Sequence, residues 1–61
     1  MKIFFYSANS KYAYGDYNGA IKDYEKLVKK KYFQDQIFFN IGNSHLILHN
    51  YSEAIKNYNK S

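Results

Sequence analysis

The chain has 61 residues, no cysteine and a net charge of +4. This length makes one small folding unit, and the lack of cysteine excludes disulfides and cysteine-ligated metal sites. With 46% of the residues apolar and 21% aromatic, a disordered segment is also excluded. No apolar run approaches the roughly 20 residues that a membrane-spanning helix needs, and we expect no direct membrane contact.

The first predicted element is a helix that starts near the amino end and runs to Gly15. Its apolar run at residues 3–6 is cut off by Ser7. That run is too short for the apolar region of a signal peptide, so we interpret it as structure and assign no compartment.

A turn at Gly15 and Asp16 separates the first helix from a second. Glycine suits the left-handed conformation that ends a helix, and aspartate can cap the next one. The second helix is predicted from Tyr17 to about Lys30. Its apolar face has the spacing of a helix, and comprises Ala20, Ile21, Tyr24, Leu27 and Val28. Its predicted polar face carries Lys22, Asp23, Lys26 and Lys29.

The second half of the chain is predicted to form another helix, turn and helix. Residues 31–34 form the connector, and Asp35 is predicted to cap the third helix. Asn50 and Glu53 resemble a capping box at the start of the fourth helix. His49 takes the position of Gly15, so we expect this turn to be either more strained or shifted by one residue.

An internal repeat underlies this pattern. Residues 1–27 aligned with residues 35–61, a shift of 34 positions, give eleven identical pairs. These pairs are Ile3/Ile37, Phe4/Phe38, Phe5/Phe39, Asn9/Asn43, Ser10/Ser44, Tyr17/Tyr51, Ala20/Ala54, Ile21/Ile55, Lys22/Lys56, Tyr24/Tyr58 and Lys26/Lys60. We expect the small pairs Ala8/Gly42 and Ala20/Ala54 to mark the closest helix contacts, and Phe4/Phe38 and Tyr24/Tyr58 to fill the wider ends.

The repeat resembles the tetratricopeptide repeat. The likeness rests on the 34-residue period, the small residue at position 8 of each unit, Gly15-Asp16-Tyr17, Ala20 and Tyr24. It implies an all-α fold of two antiparallel helix-turn-helix hairpins in a right-handed solenoid, four helices with the last one truncated. The first repeat would span residues 1–34 and a partial second repeat residues 35–61, as a single unit. Ser7 and Lys11 depart from the family, which usually has larger apolar residues there, and Tyr32 replaces a common proline.

A narrower resemblance is to the repeat region of bacterial aerotolerance (Bat-type) envelope proteins. It is carried by Gly15-Asp16-Tyr17, by residues 24–27 and by residues 39–43, together with a few single positions. A general tetratricopeptide repeat would share most of these residues.

The tetratricopeptide resemblance implies a protein-interaction scaffold whose groove binds a peptide or a partner helix. In that family the first helix of each hairpin lines the groove. The corresponding residues here are Lys2, Phe5, Asn9, Tyr12, Gln36, Phe39, Asn40, Asn43 and Ile47, with Tyr6, Ala13 and Leu46 beside them. The alternative is that the aromatic residues are core between the repeats and the asparagines are simply repeat consensus.

A second reading is a self-assembly module without a separate ligand. Repeats bury their apolar faces on their neighbours, and the second unit ends at Ser61, about seven residues before a full period. Leu48, Ile55 and Tyr58 would then form an uncovered face. We therefore expect either a fragment of a longer array or a homo-oligomer.

Other chemistry has weak support in the sequence. His45 and His49 are four residues apart, but no HExxH motif is present, so we favour a structural role. Lysines 29–31 are interpreted as a solvated helix end. The chain has no arginine, which argues against nucleic-acid binding. No catalytic motif and no cofactor site is found, so we predict a protein that is not an enzyme.

Overall fold

The computed structural model describes the backbone of residues 2–31 and 34–61, and side chains from residue 5 to 31 and from 35 to 61. Within these residues the chain forms four α helices and no strand. The helices are α1 (Lys2–Ala13), α2 (Tyr17–Lys29), α3 (Gln34–Ile47) and α4 (Tyr51–Lys60). Each helix packs against the next one in the chain. The prediction of an all-α fold with four helices is confirmed.

The turn between α1 and α2 forms as predicted. Gly15 has a φ of +90°, and the Asp16 backbone N–H bonds to the Lys11 carbonyl oxygen at 2.8 Å. This left-handed termination satisfies carbonyl groups that the end of α1 would leave unpaired. The Asp16 carboxylate then accepts a hydrogen bond from the Gly19 N–H at 3.1 Å and caps α2.

The turn between α3 and α4 repeats this geometry with a less suitable residue. His49 has a φ of 65°, and the Asn50 N–H bonds to the His45 carbonyl oxygen at 2.8 Å. A positive φ is unfavourable for a residue with a Cβ atom, so the expected strain is present.

The predicted capping box is wrong. Asn50 occupies the cap position of α4 but makes no side-chain cap bond, and the Glu53 carboxylate lies 3.4 Å from the Lys56 Nζ. The first turn suggests a reason, because a Cβ at Gly19 would lie 2.3 Å from the Asp16 carboxylate. The equivalent residue of α4 is Glu53, which has a Cβ atom.

Asp35 is also not the cap of α3. That helix begins one residue earlier, at Gln34, so Asp35 lies in its first turn. A carboxylate there still stabilises the helix, because it faces the positive end of the helix dipole. Residues 32 and 33, half of the predicted connector, lie outside the described part of the chain, so the position of Tyr32 does too.

Small residues mark the contacts within each hairpin, as predicted. Ala8 and Ala20 are completely buried and Ala54 is 2% exposed. At Gly42 an added Cβ would lie 2.7 Å from the Tyr58 ring. Buried side chains of α2 and α3 complete the core, namely Ile21, Tyr24, Leu27, Ile37 and Ile41. The role predicted for Phe4 lies outside the described side chains.

Asp23 corrects the predicted polar face of α2. It is only 6% exposed and lies between α1 and α2, where Ser7 Oγ donates to its carboxylate at 2.8 Å and Lys11 Nζ at 2.9 Å. Ser7 and Lys11, the two departures from the repeat pattern in α1, are thus the partners of this buried charge.

The second repeat changes all three positions of this cluster together. The counterparts of Ser7, Lys11 and Asp23 are Ile41, His45 and Asn57. Asn57 carries no charge and bonds through Nδ2 to the Glu53 carbonyl oxygen at 2.8 Å. A buried carboxylate is tolerated only where it is paired, so the two hairpins use different but self-consistent contacts.

Candidate protein-interaction surface

A buried tyrosine joins three helices and sets the position of the candidate surface. The Tyr24 hydroxyl on α2 donates to Asn9 Oδ1 on α1 and accepts from Asn40 Nδ2 on α3 at 3.1 Å. Because both amides bond to one oxygen, α1 and α3 lie side by side at this point. The predicted residues Asn9 and Asn40 are therefore brought together.

Burial raises the pKa of the Tyr24 hydroxyl, and the nearby Tyr12 acts in the same direction. The hydrogen bond from Asn40 lowers it by less, so the net pKa lies above the ordinary value for tyrosine. The hydroxyl is therefore neutral at pH 7 and can donate and accept at the same time.

The second hairpin repeats half of this arrangement. The Tyr58 hydroxyl donates to Asn43 Oδ1, and the Tyr58 ring lies 5.9 Å from the Phe39 ring, measured between centroids. The Tyr–Asn bond was not predicted. Its signal in the sequence is that Asn9/Asn43 and Tyr24/Tyr58 are both identical pairs of the repeat.

α3 presents a second apolar side away from the core. Phe39 is 52% exposed, and Leu46 and Ile47 are each 46% exposed, whereas Ile37 and Ile41 on the same helix are buried. Gln36 is exposed at the start of this side. Large apolar side chains in a row on a small protein commonly mark a contact surface.

α1 carries a mixture of exposed and half-buried residues at the positions that the repeat implied. Tyr6 is 62% exposed and Ala13 is also exposed, whereas Phe5 and Tyr12 are half-buried and pack against the core. The Phe5 and Tyr6 ring centroids are 6.1 Å apart. Lys2 is the first residue of α1, and its side chain lies outside the described residues.

The asparagines have a role in the fold. The oxygens of Asn9 and Asn43 accept from tyrosine hydroxyls, and the Asn40 amide donates to one. This favours the reading of these three residues as structural. The exposed part of the predicted groove is its aromatic and aliphatic side chains, which we call the α1/α3 surface: Tyr6, Phe39, Leu46 and Ile47, with Phe5 and Tyr12 at its base.

The predicted self-association face is less uniform. Ile55 is 59% exposed, but Leu48 packs against the core and Tyr58 is half-buried. The counterpart of Ile55 in the first repeat is Ile21, which is only 7% exposed in the core that α2 and α3 share. A helix packed against α4 in the way that α3 packs against α2 would therefore cover Ile55.

The two histidines lie at different places and have different neighbours. His49 Nδ1 lies 2.9 Å from the Tyr51 hydroxyl, and His45 Nδ1 lies 3.4 Å from Asn50 Nδ2. Within the described residues no three potential metal ligands converge. In the same residues, none of the helices has the length and apolar character to cross a membrane.

Comparison of the chain with protein-family models, with curated proteins and with solved structures finds no match in any of the three.

Proposed function

We propose that the chain is a pair of tetratricopeptide-type repeats and a protein-interaction scaffold. Its α1/α3 surface binds a peptide or a partner helix. The observation that carries this proposal is the exposed row of Phe39, Leu46 and Ile47 on a helix whose other side is already buried in the core.

The physical basis is a rigid apolar surface. The bonds from Asn40 to Tyr24 and from Tyr24 to Asn9 fix α1 beside α3 before a ligand arrives. A preformed surface loses little conformational entropy on binding. Aromatic side chains contribute strongly at such interfaces, because each one buries a large area with few rotatable bonds.

The variants that test this proposal must spare the hydrogen bonds. Substitution of Asn43 by alanine would also remove the acceptor of the Tyr58 hydroxyl and disturb the α3–α4 contact. Phe39→Ala with Leu46→Ala is better, since both side chains are about half exposed. Tyr14→Ala is a suitable control, because Tyr14 is 91% exposed in the turn after α1 and does not belong to the α1/α3 surface.

The experiment selects peptides from a displayed random library against the wild-type chain and measures their affinity by fluorescence anisotropy. We expect the Phe39/Leu46 variant to bind selected peptides at least about tenfold more weakly, and Tyr14→Ala to bind them as the wild type does. Thermal melts confirm that the variants fold. Equal binding by all three proteins, or no peptide tighter than about 1 mM, would contradict the proposal.

The second candidate, self-assembly through α4, has one specific observation in its favour. Ile55 is 59% exposed whereas its repeat counterpart Ile21 is 7% exposed. Sedimentation equilibrium tests it with Ile55→Lys. If the wild type is an oligomer and the variant dissociates, self-assembly through α4 is supported. A wild type that is monomeric at about 1 mM, or an oligomer that the substitution leaves unchanged, would contradict it.

A further inference from the structure

A groove separates α2 from α4 on the side of the molecule away from the α1/α3 surface. Its volume is about 590 Å³, and its floor is formed by Val28 of α2 with Phe38 and Ile41 of α3. Ile41 lies on the side of α3 opposite Phe39 and Leu46, whereas Phe38 lies between the two sides. No residue of this groove belongs to the surface proposed above.

The rim of this groove is strongly basic. It carries Lys22, Lys26 and Lys29 along one side of α2 and Lys60 on α4, against the single carboxylate of Glu25. The balance is +3, most of the chain's net charge of +4. Charge concentrated at a concave apolar site favours a ligand that is both anionic and apolar.

We propose that this basic groove binds an acidic peptide segment, one that carries several carboxylates around a single aliphatic side chain. The aliphatic side chain packs on the apolar floor, and the carboxylates pair with the ammonium groups on both walls. Asn57 also lines the groove. Its Nδ2 donates to the Glu53 carbonyl oxygen at 2.8 Å.

The geometry favours a peptide over other anionic partners. Lys60 Nζ lies 5.5 Å from the centre of the Phe38 ring, so its positive charge lies next to the apolar floor. The chain has no arginine, the residue that binds phosphate through a planar pair of donors. The apolar floor is recessed between two helices, where a flat membrane surface does not reach it.

The test uses a fluorescein-labelled octapeptide of aspartate and glutamate with one central leucine. We expect binding to the wild-type chain with a Kd of about 10–100 μM at low salt, weakening as salt rises. The same peptide with serine in place of leucine should bind several-fold more weakly, because the floor is then unused. Equal binding of the two peptides would show that the floor takes no part and would overturn the proposal.

Two double charge reversals distinguish binding in the groove from a general effect of the chain's net charge. Lys22→Glu with Lys60→Glu should weaken binding at least about tenfold. Lys30→Glu with Lys31→Glu makes the same change at exposed residues outside the groove and should have a much smaller effect. Lys22→Gln with Lys60→Gln repeats the test without charge reversal, in case the first variant does not fold.

Equal losses from the two pairs would show a net-charge effect and would overturn the proposal. Tighter binding of a single-stranded oligonucleotide or of phosphatidylserine vesicles than of the octapeptide would also overturn it. The Phe39/Leu46 variant should bind the octapeptide normally, so failure at one surface is distinguishable from failure at the other.

Discussion

At the residue scale, Asp23 is the one charged residue that is buried in the described part of the chain. It is buried, and it is bonded by Ser7 at 2.8 Å and by Lys11 at 2.9 Å. Burial raises the pKa of this carboxyl, but the hydrogen bonds from Lys11 and Ser7 and the charges of Lys11 and Lys26 outweigh it, so the native pKa lies below 3.8.

We therefore predict that Asp23→Asn lowers the free energy of unfolding by about 1–3 kcal/mol at pH 7, because Lys11 loses its buried partner. Urea unfolding followed by circular dichroism measures this change. The control is Asp35→Asn, an exposed aspartate in the first turn of α3, which should cost less than about 1 kcal/mol because only its interaction with the helix dipole is weakened.

The pH dependence has a definite sign. A carboxyl with a lowered native pKa stabilises the fold above its unfolded pKa, and this contribution is lost as pH falls through the native value. The difference between wild type and Asp23→Asn should therefore be largest near neutral pH and shrink below about pH 4. A difference that grows as pH falls would contradict the ion-pair account.

At the element scale, the repeat predicted the four helices and the first turn because their signals are local. Helical spacing marked the core residues of α2, and Gly15 and Asp16 marked its start. Asp23 was misplaced because its burial depends on Ser7 and Lys11 of another helix. The capping box failed for a local reason, since Glu53 pairs with Lys56 on the same helix instead of closing the turn.

The candidate surface was predicted less completely than the helices. The exposure of Phe39, Leu46 and Ile47 agrees with the positions that the repeat implied. The sequence could not show that the asparagines bond to tyrosines, because those bonds join residues 15 or 16 positions apart on different helices. The basic groove was missed, because its walls and floor come from three helices.

The turn before α4 gives a prediction at the same scale. His49 has a φ of 65° where the matching Gly15 has +90°. His49→Gly should raise the free energy of unfolding by about 0.5–1 kcal/mol, because glycine adopts this conformation without steric cost. Thermal and urea unfolding test it. The reciprocal change, Gly15→Ala, should destabilise the chain, and stabilisation by that change would refute the strain argument.

At the scale of the whole molecule, two surfaces follow from one stacking contact. Asn40 and Asn9 bond to the same tyrosine oxygen, so the second hairpin is placed beside the first. That placement brings α1 and α3 together at Tyr24, and the basic groove lies between α2 and α4. Both binding proposals depend on it.

The most direct measurement is the set of nuclear Overhauser contacts of Tyr24 in the isotopically labelled chain. We predict cross-peaks from the Tyr24 ring to the side chains of both Asn9 and Asn40, which puts all three helices around one residue. Cross-peaks to Asn9 alone, with all four helices intact, would mean that the hairpins do not stack, and the continuous α1/α3 surface would not exist.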